Sequence, residues 1–141
     1  MNFCRIADDV KLGKNVMFHS FVNLYGCKIG DNTNIGAFVE IQKNAYVGHN
    51  CKITSHSFIC EGITISDNVF ICHNVSFIND GIPTSTTPEN KIKTYVDWKV
   101  IPTKMEESVA IGSGSTILCG ITVGKGAIVG AGTVVTKRIG F

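Results

Sequence analysis

Long apolar runs are missing from this sequence. Apolar residues never continue for the roughly 20 positions that a membrane-spanning helix requires, so no membrane insertion is expected. Charge of one sign is also missing. The 13 basic and 11 acidic residues leave a formal charge of +2 and are dispersed along the chain. That distribution lacks the basic stripe a nucleic-acid surface would need, and nucleic acid is not an expected partner. Proline occurs only three times, and Cys4, Cys27, Cys51, Cys60, Cys72 and Cys119 form no CxxC pair. With no signal peptide ahead of them, these cysteines point to a reduced, cytoplasmic protein rather than a disulfide framework. Most occupy positions where a small buried residue is wanted.

What is present suits one globular domain over residues 1–141: 44% apolar residues, 15 glycines and many Val and Ile, a composition of short strands and tight turns. A period of six runs through it. An aliphatic or aromatic residue recurs at Ile6, Leu12, Phe18 and Leu24, then, after one five-residue step, at Ile29, Ile35, Ile41, Val47, Ile53, Ile59, Ile65, Ile71 and Phe77. The rhythm returns at Ile111, Ile117, Val123, Val129 and Val135. Four positions after most of these stands a small or β-branched residue, such as Val39, Cys51, Val75 or Ser115. A period locked at six drifts around a helix of 3.6 residues per turn, so helix is excluded. One short strand and one corner per hexapeptide keep every sixth side chain inside, and three such sides close a triangular coil of about eighteen residues, stacked at about 4.8 Å.

The rhythm breaks between Asn79 and Ser108, a stretch containing Pro83, Pro88, Tyr95, Trp98 and Pro102. This is well beyond common connection lengths and is predicted to be a functional excursion from a corner that packs on its own coil or on a neighbouring subunit. Of the histidines His19, His49, His56 and His73, counting in coils puts His56 and His73 one coil apart at one corner, with Ser55 and Asn74 as stacked neighbours. An imidazole with an ordinary pKa near 6.5 can take a proton at neutral pH, which makes His73 the first candidate for a catalytic base.

The hexapeptide rhythm resembles the left-handed parallel β-helix of the hexapeptide-repeat acyltransferases along nearly the whole chain. Three segments, Phe70 to Asp80, Asp97-Trp98-Lys99 and Ile111 to Gly120, look like the nucleotide-sugar N-acetyltransferases of surface polysaccharide synthesis, lipopolysaccharide O-antigen among them. The resemblance implies acetyl-CoA as donor, the amine of a UDP- or dTDP-linked amino deoxysugar as acceptor, no metal, and a homotrimer with sites between subunits. It also implies that Asn79 lies by the reacting centre, and some members of that group need no protein base. His56, Asn74, Asp80 and Trp98 are then candidates for substrate contacts. Main-chain groups of Gly112, Ser113, Gly114 and Gly130 would meet the pantetheine arm. Lys125, Lys137 and Arg138 are the candidates for phosphate contacts. Two positions depart from the family: Thr84 stands where an arginine commonly follows the loop proline, and Arg138 where an acid follows the late lysine.

Three other readings compete. O-acetylation of a sugar or small-molecule hydroxyl would make a histidine base indispensable. A zinc carbonic anhydrase needs three converging histidines, and its close histidine pair is absent, since six residues separate His49 from His56. A non-enzymatic assembly module would use the prism only as a shape, and a plain spacer would not require the Trp-bearing excursion.

Overall fold

The computed structural model describes residues 3–140. Among them there is no helix. Short parallel strands form three sheets, the sides of a left-handed prism of about seven turns. The first face has seven strands, stacked in the order Arg5–Ile6, Asn23–Leu24, Glu40–Ile41, Phe58–Ile59, Ser76–Phe77, Thr116–Ile117 and Val134–Val135. The second runs from Lys11–Leu12 through Lys28–Ile29, Tyr46–Val47, Ile63–Ile65 and Thr103–Met105 to Thr122–Val123. The third runs from Met17–Phe18 through Asn34–Ile35, Lys52–Ile53, Phe70–Ile71 and Ala110–Ile111 to Ile128–Val129.

The second residue of each two-residue strand points inward. From Leu24 onward the hexapeptide aliphatics are buried, with Phe77, Ile71, Ile111 and Ile117 essentially inaccessible to solvent. On the first coil, where no earlier rung covers them, Ile6 and Phe18 are half-buried and Leu12 is exposed. Backbone hydrogen bonds tie each coil to the next, as in Phe70 N to Val109 O at 2.9 Å and Cys72 N to Ile111 O at 3.0 Å. Inward hydroxyls add side-chain staples. Ser57 Oγ donates to Cys72 O at 2.9 Å and accepts from Val75 N at 3.2 Å, so this buried polar group is satisfied at both valences.

Most corners place one residue in the left-handed region, and these residues form three vertical columns. Between the second and third faces stand Asn15, Asn32, Asn50, Asn68, Ser108 and Gly126, mostly the asparagine that tolerates this region best after glycine. Between the first and second stand Gly26, Asn44, Gly62 and Gly120. Between the third and first, Phe3, Phe21, Phe38 and His56 give way to Asn74, Gly114 and Gly132. The aromatic members of this last column stack: Phe3 on Phe21 at 5.4 Å, Phe21 on Phe38 at 4.9 Å, Phe38 on His56 at 4.9 Å. Ring stacking of this kind offsets part of the strain of a bulky left-handed residue.

The excursion ends earlier than the sequence indicated. The expected boundary was Ser108, but the second face takes the chain back at Thr103–Met105, which pairs with Ile63–Ile65 in register. Met105 is fully buried and sits one period before Ile111. The base of the excursion is closed by Ile101 N donating to Asn79 O at 3.0 Å. Within it, Thr86 and Ile92 form an antiparallel bridge, and Asp97 Oδ2 accepts from Thr94 N at 2.8 Å.

Candidate active site

The corner between the third and first faces gathers several of the expected residues. Asn74 stands one rung above His56, and His73 one rung above Ser55, as the strand pairing of Ile71 with Ile53 requires. The next rung pairs Ile71 with Ile111, which sets Ser113 over His73. Ser113 Oγ lies 3.2 Å from His73 Nδ1. A base needs a free lone pair on Nε2, which is available when Nδ1 carries the proton and donates it to the Ser113 hydroxyl. His73 itself is exposed, so the ring edge carrying Nε2 is open to a substrate.

Above this pair the left-handed column of the corner has no side chains. Gly114 and Gly132 occupy the left-handed position at φ 72° and 70°, and space beyond the Cα of each is open. Gly114 N donates to His73 O at 3.0 Å and Gly132 N to Ser113 O at 2.8 Å. Gly112 and Gly130 belong to the same corner. A Cβ on Gly112 would collide with the Ala131 backbone, so this glycine is required by coil-to-coil contact.

Asn79 stands elsewhere. It opens the excursion at the corner between the first and second faces, at the far end of the Ser76–Phe77 strand from His73. Six residues of extended chain at about 3.3 Å each separate the two by up to roughly 20 Å. Asn79 Nδ2 donates to Glu61 O at 3.0 Å, which fixes the amide and leaves one N–H unspent. Asp80 and Trp98 line a pocket inside the excursion beside it.

The phosphate candidates are not brought together. Lys125 sits at the corner between the second and third faces and meets Glu107 at 3.7 Å. Lys137 and Arg138 follow the Val134–Val135 strand, at the last turn of the corner that bears Asn79. The reason is periodicity: Lys125 and Lys137 are two hexapeptides apart and so fall on different corners of a three-sided coil.

Of the remaining histidines, His49 stands at the asparagine corner, where its Nδ1 accepts from Asp31 N at 2.7 Å. His49 and His56 therefore lie on different corners. No three His, Cys, Asp or Glu side chains gather as metal ligands among the described residues. The buried cysteines are structural: burial pushes the Cys27 thiol up to about 11 and that of Cys60 to about 12.

Period, corners and sheet stacking define a hexapeptide-repeat β-helix protein. More particularly, its repeats match the models of two families: bacterial transferase hexapeptide (six repeats) over residues 26–61, and hexapeptide repeat of succinyl-transferase over residues 102–137. The bifunctional protein GlmU of Acinetobacter baumannii is 28% identical over 135 residues, covering 95% of this chain and 26% of that protein. GlmU of Wigglesworthia glossinidia brevipalpis is 32% identical over 140 residues, with 95% and 26% covered. The chain thus spans about a quarter of the length of the curated relatives it matches.

Among solved structures, a mutant of AntD, an N-acyltransferase from Bacillus cereus in complex with dTDP-4-amino-4,6-dideoxyglucose and coenzyme A, superposes with a TM-score of 0.78 at 22% identity. The match covers 92% of this chain and 75% of AntD. The acetyltransferase domain of PglB from Neisseria gonorrhoeae, in complex with acetyl coenzyme A, gives 0.69 at 17% identity over 88% of this chain and 50% of that one. At these identities the likeness is one of fold.

Proposed function

We propose that the protein transfers an acetyl group from acetyl-CoA to the amine of a nucleotide-linked amino sugar. The observation that carries this reading is the His73 to Ser113 contact, set directly below an edge that is all backbone at Gly114 and Gly132. Extended pantetheine needs a trough with exposed main-chain N–H and C=O groups. A bare glycine edge beside an oriented imidazole supplies one. Similarity to AntD, bound to coenzyme A and a dTDP-linked amino sugar, and to the PglB acetyltransferase domain, bound to acetyl coenzyme A, supports a coenzyme A thioester donor and a nucleotide-linked amino sugar acceptor.

In this reading the free amine attacks the thioester carbonyl. The N–C bond forms, the C–S bond breaks, and the amine proton leaves to His73 Nε2 or to water, while the departing thiolate takes up a proton. Charge developing on the carbonyl oxygen needs a preorganised donor, a contact worth about 3–4 kcal/mol, and the unspent N–H of Asn79 is suited to it. His73 and Asn79 stand at opposite ends of one face, so one chain does not supply both to one centre. This separation supports a homotrimer in which the His73 corner of one copy meets the Asn79 corner of the next. A cytoplasmic setting and a role in lipopolysaccharide O-antigen synthesis are part of the same proposal.

The test is binding. A ligand specific for the folded state raises stability by about 2.7 kcal/mol at 100 times its Kd, so saturating acetyl-CoA should raise the melting temperature. Absence of any shift with acetyl-CoA or coenzyme A would overturn the reading.

A further inference from the structure

Asn79 is tied to the first face by a line of hydrogen bonds that the hexapeptide core does not require. Asn79 Nδ2 donates to Glu61 O at 3.0 Å, and Glu61 N donates to Gln42 Oε1 at 3.1 Å. Gln42 Nε2 in turn donates to Glu40 Oε2 at 3.0 Å, and the same oxygen accepts from the Tyr25 hydroxyl at 3.0 Å. The line climbs past four successive strands of the first face, and every residue in it is half-buried.

Gln42 can be set only one way. A side-chain amide presents an acceptor at its oxygen and donors at its nitrogen. With Nε2 toward the Glu40 carboxylate and Oε1 toward the Glu61 N–H, both neighbours are satisfied. Turned over, the amide would set oxygen against oxygen and N–H against N–H. Glu40 thus fixes the Gln42 amide, and Tyr25 steadies that carboxylate. Burial, then the hydrogen bond and charge of Glu40, push the Tyr25 phenol above its ordinary value, so it stays a donor. Glu61 is gripped from a further side, since Asn44 Nδ2 donates to Glu61 Oε1 at 3.2 Å. The grip matters because the Glu61 carbonyl leads into Gly62, left-handed at φ 89°. Glycine restrains its neighbouring peptides least of all residues, so the direction of that carbonyl depends on what holds Glu61.

We propose that Gln42 is a positioning residue for acyl transfer. Backed by Glu40 and Tyr25, it fixes the Glu61 turn whose carbonyl orients Asn79, and so aims the second N–H of Asn79 at the developing oxyanion. The inference rests on the acyl-transfer reading and deepens it by extending the site to residues that touch no substrate. A donor of this kind works because it is preorganised, and a misplacement of about 1 Å can cost on the order of 10²-fold in rate.

The test compares the wild type with Asn79→Ala, Gln42→Ala and the double variant, using acetyl-CoA with a panel of dTDP- and UDP-linked amino sugars and following free thiol. Gln42→Met, which keeps the chain length and loses both hydrogen bonds, stands in where Gln42→Ala melts below the assay temperature. Asn79→Ala should lower kcat by about 10²- to 10³-fold. The Gln42 variant should lower kcat by about tenfold or more with KM within about twofold, the mark of an interaction felt in the transition state. In the double variant the Gln42 change should cost nothing beyond Asn79→Ala, because residues that act through one another are not additive. Losses that multiply independently would show a purely structural role and overturn the inference. A Gln42 variant that turns over as the wild type does, or that only raises KM, would overturn it too. Each of these outcomes leaves acyl transfer standing. If Asn79→Ala keeps the wild-type kcat, the role of Asn79 and this inference fall together while transfer stands. If the wild type releases no thiol with any acceptor, the acyl-transfer reading falls as well.

Discussion

Ser113 Oγ stands 3.2 Å from His73 Nδ1, a contact between residues 40 positions apart that exists only because the coil resumes its register after the excursion. If His73 serves as the base, His73→Ala should lower kcat/KM by about 10²- to 10⁴-fold. Ser113→Ala, which removes only the orienting hydroxyl, should cost less and act mainly on kcat. An amine acceptor that arrives already deprotonated at high pH should recover much of the His73→Ala loss, whereas a hydroxyl acceptor should not. Rates of both variants across pH 6–9 separate these cases.

Gly112 and Gly114 should differ in their response to alanine. A Cβ at Gly112 runs into the Ala131 backbone, so Gly112→Ala is expected to destabilise the fold by about 1–3 kcal/mol. At Gly114 the space is open and only the left-handed backbone resists, at about 1 kcal/mol. Gly114→Ala should therefore remain folded and lose affinity for coenzyme A. Thermal melts and calorimetry on the two variants check the contrast.

Truncating the core should be costly. Phe77 is the largest fully buried side chain, on the last strand before the excursion, and Phe77→Ala is expected to lose about 3–5 kcal/mol in urea unfolding.

The buried thiols predict an alkaline limit to stability. Desolvation by burial raises Cys27 to about 11 and Cys60 to about 12 from an ordinary value of 9.0. The folded state thus keeps protons that the unfolded chain releases. Stability from these groups is complete below about pH 9 and is lost as pH rises through 11 to 12. Urea midpoints measured from pH 8 to 11 should fall with pH, and Cys27→Ala/Cys60→Ala should flatten the decline. Brief alkylation at pH 8 should label Cys72 and Cys119 ahead of Cys27, Cys51 and Cys60, since the first two are part-exposed and the others buried.

The prism was legible in the sequence because its core repeats with one residue per side: Ile53, Ile59, Ile65 and Ile71 alone define three faces and a second coil. Adjacency of His56 and His73 to one corner was legible for the same reason. The return at Thr103 was not, because Met105 carries the period without β-branching and sits between Pro102 and two glutamates. The His73 to Ser113 pair was hidden by that same boundary, since the length of the excursion sets which late residue falls above His73. Lys125 and Lys137, expected at the phosphates of coenzyme A, fall by the three-sided count on corners other than the glycine edge. Asn79, Asp80 and Trp98 do share one locality, at the corner where the excursion departs and returns.

The most direct test of the account is product analysis with acetyl-CoA and dTDP- or UDP-linked amino sugars. The account predicts release of free coenzyme A thiol in step with a sugar nucleotide heavier by one acetyl group, carried on nitrogen. Intact thioester with every amino sugar, or an acetyl group found on oxygen, would contradict it.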